Sequence, residues 1–166
     1  MSTVTLRRAE QQHAATLANL LELYCYDMSA YFPIEVGADG RFGYQALPSY
    51  FSQPESRFAY LMFVDDKLAG FAMATLGSAA SSDPDVLDVA EFFVMRGHRK
   101  QGVGARAAAL MWNELRGRWI VRVASSNLPG IAFWTRAISH YTRQAAEART
   151  LVLGGMERMV FEFGSR

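Results

Sequence analysis

Cysteine is almost missing from this chain of 166 residues, where Cys25 stands alone. No internal disulfide can form and no pair of thiols can hold zinc, which fits a reducing, cytoplasmic compartment. An excess of either charge is missing too: 17 Lys and Arg stand against 16 Asp and Glu. No global field would hold the protein on nucleic acid or an anionic membrane, so neither partner is expected and any anion site must be local. Long apolar runs are lacking, because charge interrupts each one well before the ~18 residues of a membrane span. Met1 to Glu10 carries no apolar signal core, so export and insertion are both disfavoured. Repeats and proline-rich linkers are also absent, and the lowest-complexity stretch, Gly77 to Ser82, has the length of an ordinary loop. His13, His98 and His140 are scattered and no carboxylates stand at ligand spacing, so no metal is expected.

Apolar residues, by contrast, are abundant. They make up 51% of the chain and charged residues only 20%, enough to bury a sizeable core in one domain spanning residues 1–166. Val4 and Leu6 alternate with polar residues as in a strand. Leu17, Leu20, Leu21, Tyr24 and Met28 then recur at helical spacing. Ile34 to Tyr44 is an irregular, glycine-punctuated connection, and a short helix is expected near Pro48 to Gln53. Arg57 to Val64 and Leu68 to Leu76 read as a hairpin turning at Asp65-Asp66-Lys67. Val86 to Met95 reads as a strand, Gly102 to Leu115 as a helix, Trp119 to Ala124 as a strand and Pro129 to Ile138 as a helix. Two β-rich segments, Tyr141 to Leu153 and Met156 to Phe163, follow. Hairpins combined with strand-helix-strand crossovers predict an α/β (α+β) fold with a mixed sheet flanked by helices.

The chemistry concentrates between Glu91 and Ala105, where an apolar strand meets a basic, glycine-bearing loop and then a helix. A helix start leaves about four N–H groups without partners and carries roughly half a positive charge. Gly102 and Gly104 would let ligand oxygens approach the amides of Gln101 to Ala105, with Arg96, His98, Arg99 and Lys100 beside them. That is a phosphate cradle in outline. Gly102 to Ala107 also satisfies a dinucleotide-binding fingerprint, but the acidic residue expected about 20 positions onward is absent, since Arg122 to Asn127 holds no carboxylate. The basic Arg96 to Gln101 and the upstream hairpin oppose that reading as well.

At these residues the sequence resembles the GNAT superfamily of acyl-CoA-dependent N-acetyltransferases. The family signature is Arg or Gln, two residues, Gly, one residue, then Gly or Ala, and Arg99-Lys100-Gln101-Gly102-Val103-Gly104 matches it fully. Asn127-Leu-Pro-Gly-Ile-Ala-Phe-Trp134 is similar to the family's later asparagine-led segment. The resemblance implies a centrally splayed sheet of about six to seven strands, with acetyl-CoA as co-substrate and an amine-bearing acceptor, small molecule or protein. It implies that Phe93, Val94 and Met95 pair through their main chain with pantetheine, and that Arg99, Lys100, Gln101, Gly102, Val103, Gly104 and Ala105 hold the pyrophosphate. Asn127 and Phe133 would touch the far side of the coenzyme; Asn127 equally suits a helix cap before Pro129. The expected assembly is a monomer or homodimer.

Amide formation needs a base for the amine, a donor for the oxyanion and a fate for the thiolate. The Val94 amide is the candidate oxyanion donor and Glu91 the candidate base, its apolar neighbours raising its pKa. Asp88 is a weaker alternative that a regular strand would place on the opposite face. Trp134 stands where the family commonly has an acidic tyrosine, which leaves Tyr141 as a substitute acid and otherwise simple packing. That departure keeps open a catalytically weakened acyl-CoA-binding module. Cys25, flanked by Tyr24 and Tyr26, lacks an activating neighbour and suits packing. By family resemblance Tyr31, Phe32 and Glu35 would touch the acceptor. Asp27, Glu35 and Asp39 would favour a cationic amine.

Overall fold

The computed structural model describes residues 1–165. Seven strands and four α-helices alternate along the chain. They are β1 (Val4–Arg8), α1 (Ala14–Met28), α2 (Ser49–Ser52), β2 (Arg57–Val64), β3 (Lys67–Leu76), β4 (Leu87–Val94), α3 (Val103–Glu114), β5 (Arg118–Ala124), α4 (Leu128–Thr142), β6 (Ala148–Leu153) and β7 (Met156–Gly164). The strands form one sheet in the order β1-β2-β3-β4-β5-β7-β6. Every neighbouring pair is antiparallel except β4 and β5. The β2–β3 turn is Asp65-Asp66, both at positive φ, a geometry whose twist suits a tight hairpin.

Two apolar layers sandwich the sheet. On one face the stripe Leu17, Leu20 and Leu21 of α1 packs against Ala59, Leu61, Phe71, Met73 and Phe93. On the other, Met111 and Trp112 of α3 and Trp134, Ala137 and Ile138 of α4 cover Ala72, Val89, Trp119, Val121 and Phe161. Both helices of the second layer are thus anchored by large side chains at helical spacing.

Two departures from the expected elements matter for the site. Helix α4 runs past Ile138 to Thr142, so Tyr141 lies in its last turn and not at the start of a strand. The expected β segment from Tyr141 shrinks to β6, because Arg143 closes the helix in the left-handed conformation, a role sequence usually signals with glycine. Strand β4 also carries a bulge. Met73 pairs with Glu91 and Ala74 with Val89, which leaves Ala90 without a partner in β3. The extra residue breaks the two-residue alternation, so Asp88 and Glu91 both face the α1 layer. The expectation of opposite faces held only for a regular strand.

Candidate functional site

Parallel pairing of β4 with β5 covers only Leu87–Trp119, Asp88–Ile120 and Val89–Val121. Beyond it β4 continues along β3 and β5 continues along β7, so the two strands part and leave a cleft at the centre of the sheet. The Met95 N–H donates to Ala69 of β3 at 2.8 Å. Strand alternation therefore turns the N–H and C=O of Val94 away from β3, into the cleft. The carbonyl accepts from Arg99 Nε at 2.6 Å.

The glycine loop opens beside this cleft. A short 3-10 turn, Arg96–His98, follows β4, and Lys100 and Gly102 then take positive φ values of 61° and 72° before α3 begins. Gly102 is the N-cap of α3, and a Cβ built there meets no atom within 4 Å. Space is therefore open at Gly102, whereas Val103 and Gly104, the first residues of α3, are buried. Gly104 differs: its missing Cβ would sit 3.0 Å from the Phe133 ring, which lets α3 and α4 approach closely. Arg99 is turned toward the α1 layer rather than outward, bridging Val94 and Asp27 at 2.5 Å, with Arg96 also on Asp27 at 3.0 Å. Burial pushes the Asp27 carboxyl up, but hydrogen bonds from Arg99 and Arg96 overcome this and hold it below the ordinary range. Asp27 is thus already matched and offers little to a cationic amine. Lys100 is exposed, while Gln101 donates to the Gly97 carbonyl at 3.0 Å.

On the far wall, Asn127 Oδ1 accepts from the Gly130 N–H at 2.9 Å, the helix-cap use of this residue. Phe133 stacks on Phe92 with ring centroids 6.0 Å apart. Trp134 is buried between Phe92, Phe133 and Trp112 and belongs to the core. Tyr141 donates to Asn113 Oδ1 at 2.8 Å and packs on Trp112. Eight helical residues separate it from Phe133, about 12 Å of rise. The structure therefore sets Tyr141 apart from Val94, contrary to the expected acid, because α4 is a turn longer than its sequence pattern suggested.

Glu91 is the centre of a polar cluster that sequence did not foresee. Its carboxylate accepts from Tyr24 and, at 2.9 Å, from Tyr44. Tyr24 comes from α1 and Tyr44 from the long connection after it. Burial raises the Glu91 pKa, and the two phenols pull it only part of the way back. The same burial drives the Tyr24 and Tyr44 hydroxyls far above their usual value. The second carboxylate on this face, Asp88, is wholly buried and accepts from Ser78 and twice from Arg122, at 2.7 and 3.1 Å. It is a structural anion rather than a second base. A buried tyrosine tip on an apolar helical stripe was the available signal for Tyr24, since such a hydroxyl needs a partner; Tyr44 had none. Cys25 is half-buried, and burial pushes its thiol up to about 11, in line with packing.

The acetyltransferase (GNAT) family model matches residues 18–138. The chain belongs to the GNAT acetyltransferase family. No curated protein matches it. Solved GNAT-type structures share the fold. An aminoglycoside acetyltransferase in complex with coenzyme A gives a TM-score of 0.68 at 19% identity, covering 98% of this chain and 95% of that one. An acetyltransferase from Thermus thermophilus gives 0.65 at 18%, covering 98% and 97%. An N-acetyltransferase from Staphylococcus aureus gives 0.66 at 12%, covering 99% and 100%.

In this GNAT chain the residues expected at the acceptor lie on the α1 side of the cleft. Tyr31 and Phe32 are half-buried just beyond α1, whereas Glu35 is exposed. The Arg158 guanidinium sits over the Phe32 ring at 4.7 Å. Asp39 is spent on a turn, accepting from the Arg41 N–H at 3.1 Å. Among the described residues no group of His, Cys, Asp and Glu could hold a metal ion, and no helix is long and apolar enough to cross a membrane.

Proposed function

We propose that this chain is a single-domain N-acetyltransferase that moves acetyl from acetyl-CoA to an amine by direct attack in a ternary complex. The parting of β4 and β5 after Val89–Val121, beside the left-handed Gly102 that begins α3, is the observation that carries the reading. Of the main-chain groups of Phe93, Val94 and Met95, those of Phe93 and Met95 are turned toward β3, so only those of Val94 face the cleft, while the amides of Gln101 to Ala105 are offered to a pyrophosphate. Lys100, Gln101, Val103 and Ala105 supply loop and helix-start backbone. Asn127 and Phe133 form the opposite wall.

In this reading Glu91 accepts the proton of the amine, directly or through one water, and its raised pKa makes it a stronger base than an exposed carboxylate. Tyr24 and Tyr44 are positioning residues that fix the carboxylate by donating to it. The Val94 N–H, turned into the cleft, stabilises the tetrahedral oxyanion. Acetyl-CoA supplies the activated thioester, and its thiolate leaves without a tyrosine acid, because a thiol pKa lies not far above neutral. Tyr31, Phe32 and Glu35 border the amine's approach.

Thermal unfolding with acetyl-CoA, NADH or NADPH tests this directly. At a hundredfold excess over Kd, acetyl-CoA should add about 2.7 kcal/mol, several degrees in Tm, and the nicotinamides nothing. A shift with a nicotinamide alone would assign the glycine loop to a dinucleotide instead.

A further inference from the structure

Arg158 is the arginine whose surroundings explain least. It lies on β7 opposite Ala124, which puts it on the α1 face of the sheet together with Arg122 and Glu91. Its Nη1 is buried and has no hydrogen-bond partner, and no ion pair involves it among the described residues. The other arginines without partners, Arg116, Arg136 and Arg143, are exposed, where water serves them. Nη1 is closed to water and ligand alike, whereas Nε and Nη2 are not buried and have no partner among the described residues, so they form the open edge of the guanidinium. Burial and the nearby charge of Arg122 hold the Arg158 pKa below its ordinary value. No neighbour relieves this. Arg122 is engaged bidentately by Asp88, and the Glu91 oxygens are engaged by Tyr24 and Tyr44.

The floor under this cation is Phe32, at 4.7 Å from its ring centre, in the segment that leads from α1 toward Tyr44. A guanidinium seated over an aromatic ring is held in place by cation–π attraction. Helices α3 and α4, with the glycine loop's helix start and Phe133, cover the opposite face. The open edge, Nε and Nη2, therefore belongs to the acceptor's side of the sheet and not to the coenzyme's.

We propose that Arg158, held by Phe32, is the specificity-determining residue for an acceptor that carries a carboxylate as well as the reacting amine, a free amino acid. One guanidinium edge balances one carboxylate in a two-point fork. The amine then reaches the cleft between β4 and β5, on the far side of β5 from Arg158, where Glu91 takes its proton. This proposal rests on the acetyl-transfer reading. It reverses the expectation of a purely cationic amine, since Asp27 is neutralised by two arginines and Glu35 is solvated.

The test pairs acids with their neutral counterparts. The twenty amino acids, their carboxamides and O-phosphoethanolamine are offered with acetyl-CoA, and thiol release gives kcat/KM for the wild type, Arg158→Met and Arg158→Lys. The wild type should favour a free acid over its amide about ten- to hundredfold, chiefly through KM. Arg158→Met should erase that ratio while leaving the amide rate and the acetyl-CoA shift in Tm unchanged, and Arg158→Lys should restore part of it. Preference for amides, equal use of both, preference for O-phosphoethanolamine over every carboxylate, or equal loss of both rates in Arg158→Met would overturn the assignment. Turnover of none of these amines, with the acetyl-CoA shift intact, overturns the carboxylate assignment and leaves the coenzyme reading standing. Loss of the acetyl-CoA shift in the wild type removes the underlying reading itself.

Discussion

Glu91 is held between opposing influences, and their signs give its predicted behaviour. Burial raises its pKa, while the phenols of Tyr24 and Tyr44 lower it. Activity should thus fall on the acidic side as pH drops through this raised value, above the ordinary carboxylate range. Removing a donor raises the pKa further, so Tyr24→Phe or Tyr44→Phe should move the acidic limb of kcat/KM to higher pH, as a pH-rate profile would record. Glu91→Gln should cut kcat about a hundredfold or more and flatten that limb, with the acetyl-CoA shift in Tm retained. Linkage adds a consequence for stability. The native state binds the Glu91 proton more tightly than the unfolded chain, so this residue's contribution weakens as pH rises from the unfolded value through the raised native one. Glu91→Gln should accordingly be more stable than the wild type at pH 7, which urea unfolding measures. Glu91 itself was legible as a carboxylate within an apolar strand. Its partner Tyr44 was not, because 47 positions separate the two and only the folded connection joins them.

At the scale of elements, β3 and β4 fit each other through one glycine. Gly70 has φ +158°, and a Cβ there would lie 2.0 Å from the Phe93 carbonyl oxygen, a backbone atom that cannot step aside. Gly70→Ala should cost about 3 kcal/mol or more, by the sum of strained backbone and clash, and should also displace Phe93 and Val94 in the cleft. Chemical denaturation and the acetyl-CoA shift read the two effects separately. Element types were mostly legible, since periodicity fixes which residues face a core whatever lies opposite. Their local exceptions were not. The bulge at Ala90 arises from how two strands register, and the extra turn of α4 depends on Arg143 adopting a left-handed conformation without glycine to announce it. Both exceptions fall on residues of the candidate site: one brings Asp88 to the Glu91 face, the other takes Tyr141 away.

Across the whole molecule, α1 is tied to its surroundings by two carboxylates of depressed pKa. Hydrogen bonds from the N–H groups of Gly43 and Phe42 lower Glu22, and Arg99 and Arg96 outweigh burial to lower Asp27. Groups of this kind add stability that is present above their unfolded pKa and is lost as pH falls through the lower native value. Protection factors at Phe42, Gly43 and the Arg96–Gly102 turn should therefore fall below about pH 4, before the sheet itself yields. Unchanged protection at these amides down to global unfolding would show that neither tie matters. The mixed sheet and its flanking helices were foreseeable from the alternation of hairpins and crossovers, and the glycine loop from its local chemistry. Strand order was not, since β7 enters between β5 and β6 through pairings that no short stretch of sequence encodes.

That insertion sets a timetable for synthesis. Strands β1 to β4 are consecutive neighbours and can assemble as the chain emerges, in the vectorial order expected of growing polypeptides. Strand β5 meets only the short parallel stretch of β4 until β7, made after β6, arrives on its other side. Until then β5 presents an open flank, and Arg158 has not reached the face where Phe32 waits for it. A ribosome that stalls between β5 and β7 would hold the first five strands with the flank of β5 unpaired, the species most exposed to sticking to another chain.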